Sequence, residues 1–172
     1  MSYASMSNTR FITRTALLAA LYVVITYAFS FLSYQAVQFR ISEVLMLLIF
    51  MDRRYLASLL LGCFLANLIG PFGLPDAVFG SLSTLVAGVL MIAIRRHLGN
   101  GPKALFLATL MPALGNGITA ASIAIMAGTP QLFWYNWLTI ALGEIGVVTV
   151  LGIPFFHYCT KNEQAKHFLE LR

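Results

Sequence analysis

Charge is what this sequence has least of. Asp, Glu, Lys and Arg together make up 10% of its 172 residues, against roughly a quarter in an ordinary soluble domain. Cysteine is nearly absent. Cys63 and Cys159 stand far apart and in no metal-ligand pattern, so they read as two apolar thiols rather than as a disulfide framework or metal site. The chain lacks a GxxxxGK[ST] loop, which excludes ATP binding by that route. It lacks HExxH, and its three histidines, His97, His157 and His167, lie toward the side expected to be cytoplasmic, away from the serines of the apolar segments. A catalytic triad, a metal centre and a cofactor motif are therefore unsupported, and the chain does not read as an enzyme. No basic patch with interleaved aromatics points to nucleic acid.

What is present is apolar: 59% of the residues. A soluble fold of this size cannot hide that much apolar surface, so the chain reads as an all-α integral membrane protein. Six apolar segments can be marked, at about 11–33, 36–51, 55–70, 75–94, 103–127 and 132–158. A crossing helix needs about 20 residues, a length that the second and third segments miss. Residues 10–32 resemble a secretory signal in having Arg10 and Arg14 before an apolar run. The run is longer than a signal core and five segments follow, so it reads as a retained first helix. No repeat or long linker divides the chain, and residues 1–172 are expected to form one membrane domain.

The basic residues orient such a bundle. Arg10 and Arg14 precede the first segment, Arg53 and Arg54 lie between the second and third, and Arg95, Arg96 and Lys103 between the fourth and fifth. Lys161, Lys166 and Arg172 follow the sixth. With six crossings, ten of the eleven basic residues fall on one side, which the positive-inside rule makes cytoplasmic, with both termini there. Arg40 is the exception. Among the acids, Asp52, Glu163 and Glu170 accompany the bases, whereas Glu43 and Asp76 fall near outer helix ends and Glu144 near the middle of the sixth segment. A charge at the membrane centre costs roughly 2.5–3.5 kcal/mol on insertion scales, and such residues face a bundle interior or a watered cavity.

Several constellations surround those acids. "AVQFRISEVLMLLIFMDRR" (36–54) puts Arg40 three residues before Glu43, where it can pair with Glu43 or with Asp76, or anchor the interface. In "GCFLANLIGPFGLPD" (62–76), Asn67 lies one turn before the Gly70-Pro71 break. Asp76 can cap the fourth helix through its carboxylate or belong to a site. Gly80, Ser83, Thr84 and Ala87 continue from it as a small, partly polar stripe. In "MPALGNGITA", Pro112 can kink the fifth helix, and Asn116 needs partners, either a neighbouring helix or a ligand. In "QLFWYNWLTIALGEIG", Trp134 and Tyr135 suit an interfacial belt. Trp137, seven residues from Glu144, shares its face about 10 Å away along the axis, with Asn136 beside it. An indole, a carboxylate and amides together suit a flat polar ring. In the first segment Ala16 and Ala20, four apart, allow another helix to approach closely, inside this bundle or from a second membrane protein.

Taken together, "QFRISE" (38–43), "GCFLAN" (62–67), "DAVFGSLSTL" (76–85), "MPALGN" (111–116) and "ALGE" (141–144) resemble the queuosine-precursor transporter (QueT) family. That family belongs to the substrate-binding S components of energy-coupling factor (ECF) transporters. The stretch "MAGTPQLFW" matches nothing distinctive. The resemblance implies a six-helix S component in the bacterial cell membrane. It would bind its cargo near the outer face and dock on an ECF transmembrane coupling protein with two cytoplasmic ATPases. Docking would use the alanine stripe, here Ala16 and Ala20. The implied cargo is a 7-deazaguanine such as 7-aminomethyl-7-deazaguanine, with another vitamin or purine-like compound as the alternative. The residues expected to hold it are Glu43, Asn67, Asp76, Asn116, Trp137 and Glu144, with Arg40 and Asn136 beside them. No cofactor or metal is implied.

Overall fold

The computed structural model describes residues 8–35 and 37–163. Lys166, His167, Glu170 and Arg172 lie outside the described residues, as does the side chain of Arg10. Among the described residues the chain is helical and has no strand. Helix α1 spans Asn8–Ala28 and a short turn α2 spans Ser30–Ser33. A 3₁₀ helix, Ile41–Met46, leads into α3, Leu47–Met51. Then come α4, Tyr55–Ile69, and α5, Gly73–Leu98. The next apolar stretch is divided into α6 (Pro102–Thr109), α7 (Met111–Gly115) and α8 (Gly117–Met126). The last begins with a 3₁₀ turn, Pro130–Leu132, and continues through α9 (Phe133–Glu144), a π-helix (Ile145–Leu151) and α10 (Gly152–Lys161).

Among the described residues, four helical stretches are long and apolar enough to cross a membrane: Phe11–Ala28, Gly73–Leu98, Pro102–Met126 and Pro130–Lys161. Ile41–Met51 and Tyr55–Ile69 are apolar but shorter. At 1.5 Å per residue, α5 is about 39 Å long and α4 only about 22 Å.

The helices depart from the sequence expectation in places. The first apolar segment is helical to Ser33 as expected but is interrupted at Phe29, between α1 and α2, and the Ser33 hydroxyl donates to the carbonyls of Phe29 (3.0 Å) and Thr26 (3.3 Å). Residues 37–40 are not helical, so the second segment begins at Ile41. Gln38 has φ 45°, a left-handed conformation that no helix continues through, and the Phe39 N–H bonds back to the Leu32 carbonyl at 3.1 Å. These residues form a strap. Its Val37 carbonyl lies directly against Gly143, and the Phe39 ring lies against Gly146.

Small residues set the helix spacing. A Cβ on Gly62 would stand 2.8 Å from the Tyr22 Cβ and 3.2 Å from the Ala19 carbonyl, which locks α1 onto α4. A Cβ on Gly115 would meet the Ser83 carbonyl at 2.7 Å, which holds α7 against α5. The core is apolar where α3 passes through it: Leu47, Leu48, Ile49 and Phe50 are buried together with Leu59, Met91 and Val147. That core occupies one half of the bundle. Polar residues gather in the other.

Candidate functional site

The polar half begins where the short second segment enters. Arg40 precedes the 3₁₀ helix in extended conformation (φ −92°, ψ 98°), so Arg40 and Glu43 do not share a helix face and are sent to different partners. The Arg40 guanidinium lies 3.7 Å from the Asp76 carboxylate, its Nε donates to the Ser33 carbonyl at 3.4 Å, and it sits over the Tyr34 ring at 5.8 Å. Of the two partners open to Arg40, the structure selects Asp76. Glu43 instead accepts a hydrogen bond from the Tyr22 hydroxyl. Thr26 and Ser42, with their hydroxyls 2.7 Å apart, hold α1 to the 3₁₀ helix one turn further along.

Asp76 does not cap its helix. Helix α5 starts at Gly73, three residues earlier, and has no side-chain cap. The chain turns at Gly70–Gly73, and Pro75 is accommodated inside the first turn, where its missing N–H costs nothing. Asp76 is thereby carried inside the bundle, 1% exposed. Asn67, fully buried, donates to the Asp76 backbone carbonyl and to the Cys63 sulfur, each at 3.4 Å. Cys63 also accepts from Thr84 at 3.3 Å. It stays a free buried thiol, now with a polar role.

A second group faces it across α5. Asn116 stands at the break between α7 and α8 and donates its amide to Glu144 Oε1 at 2.9 Å. Its own carbonyl accepts from Thr119 at 3.2 Å, and Thr119 pairs with Ser83 of α5 at 2.7 Å. Glu144 is the last residue of α9, immediately before the π-helix. The widened stretch runs over Ile145–Leu151, and Pro154 beyond it has no N–H to give the Val150 carbonyl.

Between the groups lies a cavity lined by Glu43, Met46, Ser83, Thr84, Ala87, Pro112 and Asn116. Its 10 Å³ is room for about one water molecule. Among the described residues, the buried polar atoms that lack a hydrogen bond include Asn67 Oδ1, Glu144 Oε2, and Arg40 Nη2 and Asp76 Oδ2, the last two facing each other as the 3.7 Å ion pair. A group such as Asn67 Oδ1 or Glu144 Oε2 costs on the order of 1–3 kcal/mol when left unsatisfied away from water.

Trp137 and Asn136 stand apart from this network. The Trp137 indole N–H is taken by the Ala113 carbonyl at 2.9 Å, and its ring lies against Gly117 and stacks on Phe133 at 6.0 Å. Asn136 is half-buried, and its backbone carbonyl accepts from Thr139. Ala16 and Ala20 are exposed, whereas Ala19 between them is buried against α4. The exposed pair therefore lies on a face that the described residues leave open. Tyr22 was missed from the sequence. Its signal was a hydroxyl four residues before Thr26 in an otherwise apolar helix, a polar pair on one face.

Comparison with known proteins bears on the same residues. A family model described as "QueT transporter" matches residues 12–161. The "Queuosine precursor transporter QueT" of Lactococcus lactis subsp. cremoris (strain MG1363) is 35% identical over 147 residues, covering 80% of this chain and 85% of that protein. No solved structure matches.

Proposed function

Because the chain belongs to the QueT transporter family, we propose that it is the substrate-binding membrane subunit of an ECF importer for a queuosine precursor. The cargo class is a 7-deazaguanine such as 7-aminomethyl-7-deazaguanine. One observation supports the reading beyond the family: buried acceptor atoms on Asn67 and Glu144 have no hydrogen-bond partner among the described residues, and Arg40 Nη2 and Asp76 Oδ2 have only their mutual 3.7 Å ion pair. A guanine-like ring complements such a set. Its N1–H and exocyclic amine present adjacent donors to a carboxylate, its ring carbonyl accepts from a guanidinium, and an aminomethyl cation takes a second acid. Among the described residues, three buried carboxyl groups, Glu43, Asp76 and Glu144, are accompanied by one buried guanidinium, Arg40. That balance favours a cationic cargo over an anionic one.

The cavity is far smaller than the roughly 300–1,000 Å³ of ligand pockets. Binding therefore requires its walls, the 3₁₀ helix, α5 and α7, to move apart. Six crossings with both termini cytoplasmic would account for the basic residues by the positive-inside rule, and the proposed setting is the bacterial plasma membrane. The two short helices would end at a cavity wall, where incomplete spans are tolerated. With no phosphate-binding loop of its own, the chain would draw on two partner ATPases through a coupling protein docked at Ala16 and Ala20.

Thermal unfolding of the purified protein against a ligand panel tests the cargo class. A bound ligand at 100 times its Kd should stabilise by about 2.7 kcal/mol. Stabilisation by 7-aminomethyl-7-deazaguanine, and not by flavin, thiamine or adenine, is expected. A response to one of the latter alone would replace the cargo with another vitamin or purine.

A further inference from the structure

The opposite end of the bundle holds a second polar feature. The loop between α3 and α4 and the C-terminal turn of α5 enclose a groove of about 550 Å³. Arg53, Arg54, Arg95 and Arg96 line it with one acid, Asp52, for a net charge of +3. Two of the arginines are built into its walls. Arg54 clasps Asp52 through Nη2 at 2.7 Å and Nε at 3.0 Å. Arg95 donates from Nε to Asn100 Oδ1 at 2.9 Å and from Nη1 to the Met51 carbonyl, and it lies over the Phe50 ring. Arg53 and Arg96 are exposed on the rim, and among the described residues neither side chain makes a hydrogen bond or ion pair.

The floor is different. Ile49, Met51 and Ile92 line it, and α5 continues from there with Val89 and Leu90 exposed along a helix long enough to cross a membrane. Guanidinium groups above an apolar floor, at the end of a spanning helix, match the junction between a lipid headgroup and its acyl chains. We propose that this groove binds the phosphate of an anionic phospholipid, with Arg53 and Arg96 as its direct ligands and Arg95 held in place behind them. Guanidinium recognises phosphate oxygens in bidentate fashion. The apolar floor favours a lipid over a soluble anion or an acidic protein segment, either of which would leave it uncovered. The site is independent of the cargo site.

The test uses the full chain in nonionic detergent. Binding of dioctanoyl-phosphatidylglycerol, dioctanoyl-phosphatidylcholine and inorganic phosphate is measured by native mass spectrometry, with thermal unfolding as a check on folding. Phosphatidylglycerol should bind about tenfold or more tighter than phosphatidylcholine. The double variant Arg53→Gln/Arg96→Gln should lose that preference while unfolding at the wild-type temperature. The control Lys103→Gln/Lys161→Gln removes equal charge outside the groove and should keep it. Equal binding of the two lipids, an unaffected arginine variant, equal loss in the lysine control, or phosphate binding as tight as the lipid would each overturn the proposal.

Discussion

Asn116 donates its amide to one oxygen of Glu144 and leaves the other oxygen without a hydrogen bond among the described residues. The acid is thus oriented by one helix break and presented by another, since Asn116 ends α7 and Glu144 ends α9. A fixed carboxylate with a vacant oxygen is suited to receive a donor without further rearrangement of its own.

Replacing Asn116 by Ala should therefore harm binding more than folding. Glu144 would lose its orienting donor, and Thr119 its acceptor. The expected cost is about 1.5–3 kcal/mol in cargo affinity, or roughly 10- to 150-fold in Kd, as for a hydrogen bond to a charged group. Calorimetry on the variant measures it. An affinity within twofold of wild type would show that Glu144 is not used in this orientation.

Tyr22→Phe probes the other acid. The hydroxyl is the Glu43 partner, and both residues are buried. Its loss leaves a buried carboxyl group short of a donor, which should cost about 1–3 kcal/mol. A lowered thermal unfolding midpoint in detergent, partly restored by Glu43→Gln in the same background, is the expected pattern.

Two glycines should respond differently to alanine. At Gly62 the new methyl would stand 2.8 Å from Tyr22 Cβ on the facing helix. Separating α1 from α4 should cost about 1–3 kcal/mol, as overpacking does. At Gly117 the nearest atoms are those of the Trp137 ring at 3.6 Å, an ordinary contact. Gly117→Ala should unfold at the wild-type temperature, and a comparison of the two midpoints checks both statements.

The helical class was legible because apolar residues so outnumber charged ones, and the QueT resemblance because its short motifs keep their order along the chain. Glu43, Asp76, Glu144, Asn67 and Asn116 stood out because polar groups in apolar segments need a reason to be there. Their pairings were less legible. Spacing alone puts Arg40 within reach of Glu43, but the backbone at Arg40 is extended, and that sends its guanidinium to Asp76 instead. The reach of Tyr22 to Glu43 spans 21 residues and depends on how α1 packs. Asp76 read equally well as a cap because Gly73 and Pro75 both mark turns, and only the turn at Gly70 decides which residue starts the helix. The π-helix after Glu144 has no hydropathy signal, since a widened turn buries much the same residues as an α-turn.

The central claim is that the buried acids recognise the cargo. Calorimetric titration of the purified protein with 7-aminomethyl-7-deazaguanine, set beside Glu43→Gln and Glu144→Gln, tests it most directly. Each substitution keeps the shape of the side chain and removes its charge, so affinity should fall about tenfold or more for at least one of them. Undiminished affinity in both variants would contradict the account.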